Sequence, residues 1–449
     1  MTTMRKIAAV VGTTGVGKSQ LAVELCKALQ GQVINADAMQ VYKGLDIITN
    51  KMPVHEREGI KHHLMDFLEP EEEYQVTEFK RDATKHIEAI ADEQQLPVVV
   101  GGTNYYIQSL IWSDMLIKSK STRVSDRQYL PELEEMQTCE LYDRLKQVDP
   151  IMANKWHPAD RRKILRSLQI FYQEGRPQSE IIKEQQEMNK SGLQPHFKSL
   201  IFWLYADPAK LNPRLDERVD KMIDTGLFDE IQDLRKRVVE GAVKAPGKEK
   251  EEYQRGVWQA IGYKEFDPYF SACEMQGKNE AMELDLGDIK EQCTQKMKMV
   301  TRRYARRQVQ WIRNKLLPTV WKSEDDVVVY LLDAGDLDKW DTEVRQKAIE
   351  VAKAFQAGLP LPDPTSLGET AAKMLSKTEN PMDTQTRVLS WRKHVCPVCR
   401  TPEGDEVVVN GDNEWEQHKS SRRHRKSAKF RRLEELGRGT FKNKTKDLE

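Results

Sequence analysis

One stretch near the N-terminus constrains the fold more than any other part of the chain. The apolar run KIAAVVG (6–12) leads into GTTGVGKS (12–19), and a helical pattern follows from Lys18 to Leu29. The spacing G-x-x-x-x-G-K-[ST] between a strand and a helix is typical of a loop whose backbone amides bind phosphate. The sequence therefore predicts a phosphate-binding loop, with a lysine on the phosphates and a serine hydroxyl on Mg²⁺. Its residues are Gly12, Thr13, Thr14, Gly15, Val16, Gly17, Lys18 and Ser19.

The apolar runs that follow indicate the fold class. QVINAD (32–37), LPVVVGGT (96–103) and SLIFWLYAD (199–207) have the composition of buried parallel strands, and helical patterns separate them. This alternation predicts an α/β fold with a three-layer parallel sheet and helices on both faces. Residues 114–198 carry no strand signal and have apolar positions at helical spacing, so we expect an all-helical insertion domain there.

The remaining boundaries follow from changes in composition. Residues 358–387 are rich in Pro, Ser, Thr and Gly, which is typical of a flexible linker. The predicted divisions are 1–113 and 199–320 for the α/β core, 114–198 for the insertion, 321–357 for a small extension, 358–387 for the linker, 388–435 for a C-terminal module and 436–449 for a basic tail.

Composition disfavours several classes of protein. No apolar stretch reaches the roughly 18 residues that cross a bilayer, so we expect no membrane segment. The chain enters its first strand within a few residues of Met1, which leaves no room for a signal peptide. Four of the six cysteines are scattered and two form one C-x-x-C pair, which favours a reducing compartment over a disulfide framework.

The formal net charge of +0 hides strongly basic segments. Between His418 and Lys446, twelve Lys or Arg residues stand against two acids. A second basic run, KMKMVTRRYARRQVQWIRNK, occupies residues 296–315. Local basic surfaces in a neutral chain predict a partner with a phosphate backbone.

Asp37 stands at the end of the second predicted strand, where a general base would face the phosphates. A nucleoside triphosphatase usually places a Mg²⁺-binding acid after a later strand, but LPVVV is followed by GGTNYY, which contains none. A kinase that acts on a small metabolite or a nucleic acid, with Asp37 activating a hydroxyl, remains an alternative. A non-catalytic RNA-binding protein is a third interpretation, which the intact GKS and Asp37 disfavour.

Several motifs, in a fixed order, resemble the tRNA dimethylallyltransferases, also called tRNA isopentenyltransferases. They are VINADAMQVYKGLDIITNK, EREGIKHHLMD, VVVGGTNYYIQSLIW, LDERVDKMIDTGLFDEI, QAIGYKEF and TRRYARRQVQWIR, within roughly residues 5 to 320. The resemblance implies transfer of a dimethylallyl group from dimethylallyl diphosphate to the N6 amine of the adenosine 3′ of the tRNA anticodon, with Mg²⁺. It also implies a monomer in the cytoplasm, with nuclear and mitochondrial pools.

The same resemblance assigns roles around the phosphate loop. The loop binds the diphosphate of the allylic substrate rather than ATP, and Asp37 takes the proton of the attacking amine. Such a general base contributes roughly 10²- to 10⁴-fold. Lys18, Thr103 and Arg218 stabilise the departing diphosphate. Arg214, one helical turn before Arg218, is the alternative cation.

The resemblance also implies how the RNA is bound. The turn DAMQ (37–40) lies beside the flipped adenine, whose extraction from the loop costs a few kcal/mol. The segments DRRKILRSLQIF (160–171) and TRRYARRQVQWIR (301–313) contact the tRNA. The implied tRNA-binding residues are Ala38, Met39, Gln40, Arg162, Arg166, Arg302, Arg303, Gln308 and Trp311.

The C-terminal module has the ligands of a zinc finger. Cys396, Cys399, His418 and His424 follow the spacing C-x₂-C-x₁₈-H-x₅-H, and two cysteines with two histidines complete a closed structural Zn²⁺ site. The long central spacing resembles the matrin-type finger, which implies binding of structured RNA. His394 is a competing ligand whose spacing fits less well.

Overall fold

The computed structural model describes residues 4–112, 131–188, 193–243, 256–278, 284–323, 326–376, 392–401, 404 and 406–435. The predicted basic tail, 436–449, lies outside the described residues. The chain forms two compact units. Met1–Leu116 with Asn189–Glu379 make one, called the α/β unit, and Ile117–Met188 with Asn380–Glu449 make the other, called the insertion–finger unit.

A six-stranded sheet is the centre of the α/β unit, and all its strand pairs are parallel. The spatial order is β3-β2-β4-β1-β5-β6. The strands are β1 Lys6–Gly12, β2 Gly31–Asn35, β3 His62–His63, β4 Leu96–Val100, β5 Lys198–Tyr205 and β6 Val327–Asp333. The predicted α/β class with a parallel sheet is therefore confirmed. The central strands are almost entirely buried, because helices cover both faces of the sheet.

Helices make up most of the remaining described structure. They are α1 Lys18–Leu29, α2 Val76–Asp92, α3 Asn104–Ile111, α4 Pro131–Glu135, α5 Thr138–Val148, α6 Pro150–Lys155, α7 Arg161–Glu174, α8 Gln178–Met188, α9 Pro208–Asp224, α10 Leu227–Val239, α11 Tyr263–Lys278, α12 Leu286–Trp311, α13 Leu317–Lys322, α14 Lys347–Ala357, α15 Glu369–Leu375, α16 Asp412–Ser420 and α17 Arg422–Glu435. No helix among the described residues has the length and apolarity needed to cross a membrane.

The helices pack on the sheet through apolar stripes at helical spacing. In α2 the buried residues are Phe79, Ala83, Ile87 and Ile90, each three or four positions from the next, and they face one side of the sheet. On the other side α1 buries Leu21, Ala22, Leu25 and Cys26. The two layers fix where each strand ends, and so where the loops after the strands converge.

Two segments differ from their sequence-based assignment. Residues 321–357, expected to be a small extension, supply β6 at the edge of the sheet and α14, which buries Val351 and Phe355. In the expected linker, residues 364–367 form a short 3₁₀ helix and α15 follows. Ala371 and Leu375 stand one helical turn apart and pack into the core, a short apolar stripe that the polar composition masks.

The insertion–finger unit combines the helical insertion with the C-terminal module. Helices α5 to α7 enclose a small apolar core that includes Leu141, Met152 and Leu168. The antiparallel strands β7 Lys393–Arg400 and β8 Glu406–Asn410 precede α16 and α17. Lys393 Nζ donates to the Ala153 carbonyl oxygen at 2.6 Å, and Asn410 Nδ2 donates to the Lys155 carbonyl oxygen at 3.3 Å. These bonds join segments that we expected to be separate domains.

Candidate active site

A large cavity opens where the strands β1, β2 and β4 end. Its volume is about 730 Å³. The phosphate loop, the end of β2, the Gly101–Gly102 turn, α9 and α12 line it. Carboxyl ends of parallel strands meet at one edge of a sheet, which is the usual place for a ligand in an α/β fold. Nine of the predicted site residues line this one cavity: Thr14, Gly15, Gly17, Lys18, Ser19, Asp37, Gln40, Arg218 and Gln308.

The phosphate loop has a backbone that demands glycine at its turns. Gly15 and Gly17 have φ angles of +80° and +87°, in the left-handed region where a side chain is strained. Gly17 directly precedes α1, so the first amides of that helix face the cavity. Lys18 Nζ donates to the Thr13 carbonyl oxygen at 2.7 Å. The loop therefore has the left-handed glycines and the following helix start that the sequence predicted.

The cavity holds two cations and one carboxylate in mutual electrostatic contact. Desolvation lowers the pKa of Lys18 to about 8; Asp37 raises it and Arg218 lowers it further. Desolvation also lowers the pKa of Arg218 to about 10, again against the favourable effect of Asp37. Arg218 Nε is buried and has no hydrogen-bond partner among the described residues. An anion bound between these cations would restore the charge interactions that they lose on burial.

Local hydrogen bonds fix the position of Asp37. Its backbone amide donates to Asn35 Oδ1 at 3.1 Å, and its own Oδ1 accepts from the Met39 amide at 3.0 Å. The Ala38 amide donates to Thr103 Oγ1 at 3.0 Å, so the threonine holds the turn after the catalytic candidate. Thr103 thus acts in the structure on the DAMQ turn, and Asp37 Oδ2 is left to face other groups of the cavity.

Asp37 Oδ2 lies against Gly102 and the side chains of α12. A Cβ atom added to Gly102 would come within 3.1 Å of Asp37 Oδ2, 2.7 Å of Gln308 Nε2 and 3.5 Å of the Tyr304 hydroxyl. Desolvation raises the pKa of Tyr304 well above its usual range, and the Asp37 carboxylate adds to the effect. Tyr304, which the sequence did not single out, therefore stays a neutral hydroxyl beside Asp37.

Gln308 is a buried residue that lines the cavity. Its Oε1 accepts from the Thr14 amide at 2.8 Å, and its Nε2 donates to the Gly102 carbonyl oxygen at 3.0 Å. It is 4% exposed. The side chain thus ties the phosphate loop to the turn after β4.

A second loop, residues 38–53, also lines the cavity. Gln40 donates to the carbonyl oxygens of Thr49 and Asn50, at 3.2 and 3.1 Å. The Lys51 side chain is 1% exposed, and its Nζ donates to the Tyr42 carbonyl oxygen at 2.6 Å and to Asp46 at 2.8 Å. Sequence analysis did not single out Lys51, because a lysine in a polar loop is ordinarily a solvated charge.

Arg214 does not face the cavity, although it was the alternative to Arg218. Its two terminal nitrogens donate to the carbonyl oxygens of Ala334, at 2.8 Å, and Gly335, at 2.6 Å. These carbonyls belong to the turn after β6. The arginine that remains to face a phosphate is Arg218.

The basic residues of α12 divide into two groups. Arg302 forms an ion pair with Asp216 of α9, so it is engaged within the fold. Arg303, Arg306 and Arg307 are exposed. Trp311, half-buried at the end of α12, packs edge-on against Tyr105 with ring centroids 5.9 Å apart.

The insertion–finger unit carries its own basic surface. Arg162 and Arg166 are exposed on α7, on the face opposite the buried Ile164 and Leu168. They share a helix face, as their four-residue spacing predicts.

The four predicted metal ligands come together in the finger. One ligand atom from each of Cys396, Cys399, His418 and His424 lies within 4.8 Å of the others. His424 Nδ1 is 3.4 Å from Cys396 Sγ, 3.6 Å from Cys399 Sγ and 3.1 Å from His418 Nε2. Ligands of a tetrahedral Zn²⁺ lie about 3.3–3.8 Å apart, so these atoms form a site that could bind zinc.

His394 is not part of this site. Its Nε2 bonds to Asp412 Oδ1 at 2.7 Å, and its ring stacks on Trp415 at a centroid distance of 5.2 Å. His394, whose spacing fitted a metal site less well, is therefore engaged by a hydrogen bond and a stacking contact.

The chain is similar to proteins of one family over most of its length. A model of the family described as IPP transferase matches residues 40–315. The chain is 39% identical to the tRNA dimethylallyltransferase of Schizosaccharomyces pombe over 94% of each chain. It is 37% identical to that of Homo sapiens, over 94% of this chain and 86% of the relative. A solved structure of a eukaryotic dimethylallyltransferase acting on tRNA superposes with a TM-score of 0.77 and 38% identity, over 96% of this chain and 98% of the other.

Proposed function

Because this chain belongs to the IPP transferase family and is an enzyme that isopentenylates tRNA, we propose that its cavity holds the diphosphate of dimethylallyl diphosphate beside a flipped adenine. The observation that carries this proposal is that one cavity joins the phosphate loop, Arg218 and Asp37. The alternative, a kinase, is not favoured, because the similar proteins are dimethylallyltransferases.

The reaction is an alkyl transfer to nitrogen. The N6 amine of the adenosine 3′ of the anticodon attacks the allylic carbon, a carbon–nitrogen bond forms, and the carbon–oxygen bond to the diphosphate breaks. The amine proton passes to the Asp37 carboxylate. An aromatic amine is a weak nucleophile, so removal of its proton as the bond forms lowers the barrier.

The leaving diphosphate gains negative charge as the carbon–oxygen bond breaks. The amides at the start of α1, Lys18 and Arg218 are fixed in place before the substrate arrives, so they stabilise this charge without reorganisation. Arg218 Nε, which has no partner among the described residues, is free to donate to a phosphate oxygen.

Ser19 is the residue that would hold Mg²⁺. Its hydroxyl follows Lys18 at the start of α1 and lines the cavity. The ion supplies further charge neutralisation to the diphosphate when it is bound. Hydroxyl and phosphate oxygens are the hard ligands that Mg²⁺ prefers, so the donor set fits.

Each of the two units contributes one surface that binds the RNA. The surface of the α/β unit consists of the DAMQ turn (37–40) and the exposed cations Arg303 and Arg307 of α12. The surface of the insertion–finger unit consists of the exposed face of α7 and the basic helix α17. Phosphate contacts from such surfaces position the anticodon loop of the tRNA, while the cavity admits the target base.

A transfer assay with labelled substrates tests the proposal. Unmodified tRNA and Mg²⁺ are incubated with either labelled dimethylallyl diphosphate or labelled ATP, and the modified nucleoside is identified. The wild-type enzyme is expected to label one adenosine 3′ of the anticodon without ATP. Label that moved only from ATP would overturn the donor assignment.

Replacement of the carboxylate tests the base. Asp37→Asn is expected to lower kcat by at least about 10²-fold with the Kd for tRNA nearly unchanged. Asp92→Asn, an exposed acid whose side chain is 72% accessible, is the matched control and keeps wild-type turnover. Retention of more than about a tenth of the wild-type kcat in Asp37→Asn would refute the general-base role.

A further inference from the structure

The turn after β6 contacts two elements that form the diphosphate site, α9 and the phosphate loop, without lining the cavity itself. Residues 333–340, called here the outer brace, follow the edge strand of the sheet. The Ala334 amide donates to the Tyr205 carbonyl oxygen at 2.7 Å, and the Gly335 amide donates to Asp333 Oδ1 at 2.8 Å. The first bond fixes the turn to the neighbouring strand β5 and the second closes the turn itself, so the outer brace has a defined position relative to the sheet.

The first contact runs to α9. Arg214 donates to the carbonyl oxygens of Ala334 and Gly335, at 2.8 and 2.6 Å. Arg218 follows Arg214 by four residues, so the two side chains lie on the same face of α9. The guanidinium of Arg214 therefore fixes the helix segment that carries Arg218 into the cavity.

The second contact runs to the phosphate loop. The ring of Trp340 lies directly behind Gly17, where an added Cβ atom would come within 2.5 Å of the ring atom Cη2. Trp340 Nε1 donates to both carboxylate oxygens of Glu24, at 3.0 and 3.1 Å, about two helical turns after Gly17 in α1. Trp340 thus supports the loop at Gly17 and the helix that begins there.

We propose that the outer brace sets the separation between the phosphate loop and Arg218, with Arg214 and Trp340 as positioning residues for the diphosphate. The helices that carry Lys18 and Arg218, α1 and α9, are both held by one short segment that does not itself line the cavity. Catalysis by charge stabilisation depends on donors that are already in place, and misplacement by about 1 Å can cost about 10²-fold. This inference rests on the proposed assignment of the cavity to the diphosphate.

Calorimetric titration with inorganic pyrophosphate and Mg²⁺ tests the proposal in the full chain. Arg214→Met removes both hydrogen bonds and is expected to weaken pyrophosphate binding about 10- to 100-fold, with tRNA affinity unchanged. Arg214→Lys keeps the charge but can donate a well-aligned hydrogen bond to only one of the two carbonyls, so it should cause an intermediate loss of pyrophosphate affinity. Lys339→Met, an exposed change in the same segment, is the control and should bind as the wild type does.

A double-mutant cycle separates positioning from general loss of stability. In an Arg218→Gln background, Arg214→Met should cause little further loss of pyrophosphate affinity, because the group it positions is already absent. Trp340→Leu should still weaken binding there, since it acts through the phosphate loop. An equal loss for Arg214→Met in both backgrounds, or a parallel loss of tRNA affinity, would overturn the proposal.

The variant Lys18→Met distinguishes a failure of the brace proposal from a failure of the diphosphate assignment. If Lys18→Met weakens pyrophosphate binding but Arg214→Met and Trp340→Leu do not, the brace alone is refuted. If Lys18→Met binds as tightly as the wild type, the diphosphate assignment fails and the brace fails with it.

Discussion

Lys18 should make substrate capture sensitive to alkaline pH. Desolvation lowers the pKa of its ammonium to about 8, which is far below the ordinary value of 10.5. The protonated fraction then falls from about 0.9 at pH 7 to about 0.1 at pH 9, whereas a lysine of ordinary pKa would stay almost fully charged. Because only the ammonium attracts the diphosphate, kcat/KM for dimethylallyl diphosphate should fall about tenfold between pH 7 and pH 9.

The bound diphosphate should return the proton to Lys18. An adjacent anion raises the pKa of an ammonium, so binding at a pH near 8 should take up about half a proton, and near pH 7 about a tenth. Calorimetry of dimethylallyl diphosphate binding in buffers of different ionisation enthalpy measures this uptake directly. The last ionisation of a phosphate group lies near pH 6, so the substrate itself is almost fully charged at pH 8, where the expected uptake is about half a proton.

The matched variant is Lys18→Arg, which keeps a cation at all these pH values. It should show a lower but flat kcat/KM profile from pH 7 to pH 9. A wild-type profile that is flat to pH 9.5, together with no proton uptake near pH 8, would refute the argument. A fall that persisted unchanged in Lys18→Arg would assign the titration to another group.

Three other changes probe separate parts of the enzyme. Gly102→Ala puts a Cβ 3.1 Å from Asp37 Oδ2 and 2.7 Å from Gln308 Nε2, so single-turnover rates should drop about 10²-fold with little change in melting temperature. Lys51→Met removes the buried ammonium that holds the 38–53 loop; urea unfolding should show a loss of about 2 kcal/mol, with a raised KM for tRNA. Cys399→Ser removes a ligand of the finger, so zinc content should fall and the salt dependence of tRNA binding should become shallower.

The parts of this molecule that sequence predicts well are those whose determinants are local. The phosphate loop is a run of eight residues between a strand and a helix, and its glycine conformations follow from its own spacing. Strands such as LPVVV are buried on both faces, so their composition alone identifies them. The zinc ligands likewise follow from short spacings at each end of the finger.

The parts that sequence does not predict depend on contacts between distant residues. Gln308 bonds to Thr14 and Gly102, which are 294 and 206 positions away, so no spacing indicates that it belongs to the phosphate site. Arg214 and Arg218 share a helix face, and periodicity cannot tell which one faces the cavity; the carbonyls of the β6 turn decide it. The composition of the polar segment after α14 predicts a linker, because its few apolar residues contact a core that is formed by distant parts of the chain.

The union of the helical insertion with the finger has a consequence for biosynthesis. Lys393 reaches Ala153 across 240 residues of chain, and Asn410 reaches Lys155 across 255. At roughly 5–20 residues per second, the insertion leaves the ribosome about 12 to 48 s before its partner segment is made. During that interval the surface of α5 and α6 that the finger later covers faces solvent or a chaperone. A chain that ends before the finger therefore loses a partner in the folding of its insertion, and limited proteolysis should cleave that insertion faster than in the full chain.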